Sequence, residues 1–359
     1  MAQIDQFLKA LVEREGSDLH LSTGAPPVMR VHGRLQPVKF RALTQRDMEA
    51  LLYEILEEEA RARLLEEGDA DVPYALEGSG RFRVSAFLQH RGLGAVVRAI
   101  PAAVPTADDL ELTGAVRGMV EAAAGLVLVS GPPGSGRTTT LAALVDLINR
   151  SRRDHVLTVE DPVEYVHEAR ESLVNQREVG TSARSVPAAL RAAVREDPDV
   201  LVVGELGGAE AVELAVAAAD GGRLVLAALR AGSAEETVEE MLESVAPGRR
   251  IRMRERLARC LLGVVCQRLV PAADGGRRIV AREVMVGTPA VAARIREGRL
   301  RQLSILVQTG RGEGMKHLDQ HLLELVMAGR ISREAARAAA RNRAAFERYL
   351  DTEPGEGRA

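Results

Sequence analysis

With 359 residues, 46% of them hydrophobic, the chain is long enough for two domains and too apolar to be disordered. Aromatics make up 3% and tryptophan is absent, which argues against base stacking on single-stranded nucleic acid. A net charge of −3 gives no bulk pull towards nucleic acid or an anionic membrane.

The start, MAQIDQFLKALVEREG, reads as a charged amphipathic helix over residues 3–15 and not as a signal peptide. SDLHLS and VMRVHGRLQPV then alternate as antiparallel strands do. A charged helix is expected over 44–66, followed by more period-two sequence in RFRVSAFLQHRGLGAVVRAI. These segments form a mixed α/β domain over residues 1–100. The Pro-punctuated PAAVPTADDLEL, residues 101–112, is the expected linker to a second domain over 113–359. From residue 126 the texture changes. LVLVS, VLTVE, VLVVGE and LVLAAL are continuous apolar runs of the kind that form buried parallel strands. TTTLAALVDLINR, VPAALRAAVRE and AEAVELAVAAA lie between them as helices, which implies a doubly wound sheet covered on both faces. After about residue 250 the sequence reads as mostly helical, and DTEPGEGRA at the end as a frayed tail. Cys260 and Cys266, in CLLGVVC, have neither zinc-module nor disulfide-framework spacing and read as core residues in a reducing cytoplasm. No apolar run reaches the roughly 20 residues that cross a bilayer, so a soluble cytoplasmic protein is expected.

LVLVSGPPGSGRTTTLAAL sets a buried strand, a glycine-rich loop and a helix start in sequence. Gly131, Pro132, Pro133, Gly134, Ser135 and Gly136 form the loop, and its glycines allow backbone N–H groups to wrap a phosphate ahead of the helix dipole. Thr138 stands where a hydroxyl ligates Mg²⁺, and Thr139 follows. Arg137 takes the place of the usual lysine. A guanidinium keeps the charge but is larger, planar and forked, so binding is a safer inference than fast hydrolysis. Glu160, Asp161 and Glu164 follow one strand, and Glu205 ends another. Carboxylates at the C-terminal ends of parallel strands face the ligand crevice, where they hold Mg²⁺ or polarise water. Glu160 and Asp161 are the metal candidates, Glu205 and Glu164 the catalytic ones.

The chain resembles the PilT/PilU family of type IV pilus retraction ATPases. The likeness is carried by SDLHLS, PPVMRVHG, RFRV, EDPVEYVHE, LVNQREVG, ALRAAVREDPDVLVVGE, GTPA, QTG and GRISREAAR, and covers nearly the whole chain. It implies a PAS-like α+β N-terminal domain and a RecA-like ATPase domain. It further implies a hexameric ring that binds ATP with Mg²⁺, turning domain rotation into pilus disassembly and twitching motility. Glu164 then belongs to the acidic box and Glu205 is the Walker B glutamate. Arg83 and Arg98, with Arg91 beside them, match arginines that face the nucleotide. The implied partners are a homo-hexamer or a mixed ring with a paralogous pilus ATPase, and an inner-membrane platform protein. Neither nucleic acid nor direct membrane insertion is expected.

Several positions depart from the family. GEMRD is GELGG here, leaving Gly207 and Gly208; AIRNLIRE is AVAARIRE, with Ala292 for the first arginine. In GRLVLAALR, Arg223 and Arg230 replace two His-box histidines. Arg230 joins the nucleotide-binding candidates, and with Arg223 and Arg137 puts three changes around one phosphate. A guanidinium cannot pass a proton near pH 7 as imidazole does, which favours holding an anion over processing it. The expectation is a retraction motor with hydrolysis slowed. The alternatives are a catalytically silent regulatory subunit working with an active paralogue, or a secretion or pilus-assembly ATPase. The last carries a four-cysteine zinc insertion that two cysteines cannot supply.

Overall fold

The computed structural model describes residues 2–100 and 103–352, and the expected frayed tail lies almost wholly outside them. The chain divides into two compact units, one ending at Ala103 and one starting at Val104.

The first unit is an antiparallel sheet with helices packed on it. Its strands are β1 (Gly16–Ser22), β2 (Val28–Val31), β3 (Arg34–Pro37), β4 (Asp69–Leu76), β5 (Gly80–Gln89) and β6 (Gly92–Ile100), in the order β3-β2-β1-β6-β5-β4. Alternation sends Leu19, Leu21, Val84, Ala86, Ala95 and Val97 into one core with Leu8, Leu11 and Met48 from the helices. The charged segment expected as one helix is two, Gln45–Tyr53 and Glu58–Glu67. The first begins with a capping box in which Thr44 and Asp47 bond each other's backbone N–H groups. Sequence reading also passed over β4, whose Pro73 is tolerated because the strand lies at the sheet edge.

The second unit holds a seven-stranded sheet. It comprises β7 (Gly125–Ser130), β8 (His155–Glu160), β9 (Leu173–Glu178), β10 (Val200–Val203), β11 (Leu224–Leu229), β12 (Leu261–Pro271) and β13 (Arg278–Val286), ordered β13-β12-β7-β11-β10-β8-β9. All neighbours are parallel except β12 and β13. Alternate residues of β7 and β11 go to opposite faces. Leu126, Leu128, Val225 and Ala227 join one buried cluster, and Val127, Val129, Leu224 and Leu226 join the other. Burial on both faces is why these strands read as unbroken apolar runs. Ala107 and Leu112, from the stretch read as linker, are buried in this unit's core. The segment after residue 250 is helical over Arg250–Cys260 and again from Pro289 on, but between these helices it supplies β12 and β13. CLLGVVC is mostly strand, and the buried Cys260 and Cys266 thiols are both pushed up to about 12 by desolvation, so they are inert core groups. Among the described residues no helix is long and apolar enough to cross a membrane.

Candidate nucleotide site

β7 runs from a fully buried strand into the loop 131–136, and the helix Arg137–Ser151 follows directly. Gly131, Gly134 and Gly136 all have positive φ, at 152°, 73° and 88°. The need for glycine differs among them. A Cβ at Gly131 would run into the Gln267 carbonyl and the Ser135 hydroxyl, whereas one at Gly134 meets nothing and is disfavoured by its backbone alone.

The loop is held by a residue that sequence reading missed. Gln267, fully buried on β12, donates from Nε2 to the Ser135 carbonyl at 2.9 Å. Its Oε1 accepts from the Thr140 hydroxyl on the following helix, also at 2.9 Å. One amide therefore ties the loop to the helix turn behind it. Its signal in the sequence was hidden, because β12 itself had not been recognised as a strand. A second brace joins the Thr139 hydroxyl to the Tyr165 hydroxyl at 3.1 Å, and Tyr165 comes from the acidic stretch EDPVEY.

Two polar atoms in this shell are buried without a partner, Ser135 Oγ and Arg137 Nη1. Leaving such groups unpaired costs about 1–3 kcal/mol each. A cradle of positive-φ glycines, a helix N-terminus and two buried, unpartnered donors fit a phosphate. Burial lowers the Arg137 pKa; Glu205 and Glu164 oppose that fall and Arg230 adds to it. The structure thus gathers Arg137, Glu164, Glu205 and Arg230 into one charge cluster.

Within that cluster Glu205 is already engaged. Arg230 Nε lies 2.6 Å from its Oε1 and Nη2 donates to Oε2 at 3.1 Å, a bidentate pair across the ends of β10 and β11. The two side chains are 44% and 63% exposed, so the pair contributes about 1 kcal/mol or less. Arg230 is turned to a carboxylate and not to the loop.

The metal candidates separate. Thr138 and Glu160 line the same narrow cleft with Gly204 and Tyr165, whereas Asp161 sits in the exposed turn after β8. Glu160 is buried, and accepts from the Thr158 hydroxyl at 2.7 Å and from Gln176 Nε2 at 3.0 Å. Desolvation raises its pKa. Among the described residues no group of three or more His, Cys, Asp or Glu side chains could cage a metal. A cation here would rest on the Thr138 hydroxyl and on phosphate oxygens, the pattern of P-loop sites.

The expectation of three changes around one phosphate is corrected. Arg223 precedes β11 and pairs its carbonyl with Gly125, at the start of β7, while Arg230 follows the other end. Seven residues of strand put about 23 Å between them. The reason is geometric: the two arginines flank a single extended strand, β11, and so sit at its opposite ends. Gly208 has φ 78° and leads into the helix Ala209–Asp220. In the first unit, Arg83 and Arg98 are register partners on β5 and β6. Each has its own carboxylate, Arg83 with Asp71 at 3.1 Å and Arg98 with Asp18 at 2.9 Å. Arg91 lies at the turn before β6, against Gly24.

The doubly wound sheet, the glycine loop at the end of β7 and the strand-end carboxylates define a RecA-like P-loop fold. Residues 1–349 match the family described as type II/IV secretion system protein. The type IV pilus retraction ATPase PilT of Pseudomonas aeruginosa is 40% identical over 94% of this chain and 98% of its own. The pilus ATPase PilU of the same organism is 35% identical over 94% and 88%. The crystal structure of the pilus retraction motor PilT with bound ADP superposes with a TM-score of 0.85 at 36% identity, covering 97% of this chain and 99% of that one. The chain belongs to the type II/IV secretion system family, in its PilT/PilU branch.

Proposed function

We propose that the chain is a subunit of a type IV pilus retraction motor that binds ATP with Mg²⁺ and hydrolyses it slowly. The observation that carries the reading is the phosphate cradle, complete in its backbone, followed directly by Arg137 with a buried nitrogen that has no partner among the described residues. In the bound state Gly131–Gly136 and Arg137 would hold the phosphates, and Thr138 would present its hydroxyl to the cation. Glu205 would orient the attacking water, with Glu164 and Glu160 as the neighbouring carboxylates. Mg²⁺ would supply charge neutralisation for the phosphates. Arg83, Arg98 and Arg91 would meet nucleotide only after giving up or sharing their present contacts.

Magnitude separates slow from silent. Opening an exposed Glu205–Arg230 pair costs about 1 kcal/mol or less, or about fivefold in rate. That pair alone does not silence the site. Misplacing the charge that follows the γ-phosphate costs more, and falls to Arg137. The second reading, a nucleotide-binding subunit that supports an active paralogue, is favoured by the pair being formed at all. Inner-membrane work through a platform protein, and assembly as a hexamer or mixed ring, belong to both readings. Measuring ATP affinity and turnover on one preparation, with light scattering for assembly, decides between them. Turnover above that of a Glu205→Gln control supports the motor, tight binding without turnover supports the silent subunit, and absence of binding removes both.

A further inference from the structure

The helix Arg250–Cys260 reads RIRMRERLARC and packs beside the helix Pro289–Glu297. Residues 249–260 and 289–301 together hold ten arginines and two glutamates, in a chain whose net charge is −3. Part of this charge is answered locally. Arg249 pairs with Glu213 at 2.7 Å, Arg259 with Asp220 at 2.9 Å, Arg296 with Glu255 at 3.2 Å and Arg299 with Glu297 at 3.3 Å. Arg250 donates to the carbonyls of Val245 and Glu243. Arg252, Arg254 and Arg301 have no carboxylate partner among the described residues. The Arg254 guanidinium lies over Gly298, in the turn after Glu297, and at about 100° per residue Ile251 falls between Arg254 and Arg252 on the solvent side of the helix.

Two further features set this face apart. Ile251, between Arg250 and Arg252, is 69% exposed, more than any other large hydrophobic side chain described. The first helical turn carries no acid, so its arginines add to the positive end of the macrodipole where carboxylates would be favoured. Beside Ile251, a hollow of about 360 Å³ is lined by Arg249, Arg252 and Arg256 with Glu213 and Met253.

We propose that this face docks on an anionic phospholipid surface. An acidic polypeptide would answer the arginines and leave Ile251 in water. A bilayer satisfies both: headgroup phosphates meet Arg252, Arg254 and the hollow, and the isoleucine enters the acyl boundary. Arginine suits this role because its stem lies along apolar surface while its fork reaches phosphate. The inference is independent of the nucleotide site.

The test is flotation of the full chain with vesicles of phosphatidylglycerol mixed into phosphatidylcholine, against phosphatidylcholine alone. Binding to the anionic vesicles only, weakened by salt, is expected. Arg252→Ala and Arg254→Ala should each weaken it about fivefold. Ile251→Asp should weaken it further, while Arg63→Ala on the first unit leaves it unchanged. Unchanged thermal unfolding of each variant shows that the fold is intact. Equal binding to both vesicles, no binding, or variants that bind like the parent would overturn the proposal. So would full displacement by inorganic phosphate, which would make the hollow a free-phosphate site. Preference for poly-glutamate or duplex DNA over the vesicles overturns it in favour of another polyanion.

Discussion

The two sides of the nucleotide site are built differently. On the phosphate side, backbone does the holding: three positive-φ glycines, a helix start and the buried Gln267 amide leave little freedom. On the side proposed to position water, Glu205 is 44% exposed and paired with Arg230 across the strand ends. A cradle made of backbone survives side-chain change, whereas a poised carboxylate is altered by one neighbour. This is why binding should outlast catalysis in such a chain.

The largest test of that contrast is Glu205→Gln. Turnover should fall by about 10²-fold or more while ATP affinity stays within a few-fold, as measured by steady-state kinetics and isothermal titration. Should turnover hold, the water side is not at Glu205, and Glu164 is the next carboxylate to change.

Any pH profile of activity must be read against a buried group elsewhere in the second unit. Burial pushes the His321 imidazole down to about 4 from 6.5, with Lys316 and Arg282 adding repulsion and its Nδ1 accepting from the Arg282 N–H at 2.9 Å. Between those values the unfolded chain binds a proton that the folded chain refuses. Stability is therefore unaffected above about 6.5, falls as the pH drops from 6.5 to 4, and loses about 3 kcal/mol in all. Urea unfolding at several pH values should show that slope, and His321→Gln should flatten it. Acid loss of activity that follows this slope reports unfolding of the chain and not a change in the chemistry of the site.

Arg137→Lys addresses the phosphate side. Turnover should rise about tenfold, recovering about 1.4 kcal/mol of barrier, with a smaller change in ATP affinity. A larger change in affinity than in rate would mean that the cradle itself is fitted to arginine.

The smallest effect compares the ends of β11. Arg230→His should raise turnover by up to about fivefold, since that is what an exposed pair is worth. Arg223→His should leave turnover alone, because it lies about 23 Å away along the strand. Equal responses from the two variants would break the assignment of Arg230 to Glu205.

Much of the fold was legible because it is local. Apolar runs such as LVLVS and LVLAAL became parallel strands, and GPPGSGRTTT became the loop ahead of a helix. The missed elements were those with mixed signals. β4 contains a proline, and β12 and β13 interrupt a segment whose composition favours helix. With β12 unseen, Gln267 had no position from which to matter.

By itself the sequence determined the kind of site: glycines at set spacing, hydroxyls after them and carboxylates at strand ends, because those properties depend on backbone conformation and neighbours in the chain. Only the tertiary structure decided which charges meet. Arg230 and Glu205 are 25 residues apart in sequence and 2.6 Å apart in space, whereas Arg223 and Arg230 share a motif and lie at opposite ends of β11. Coulomb energy depends on distance in space and on exposure to water, and neither is a function of position along the chain.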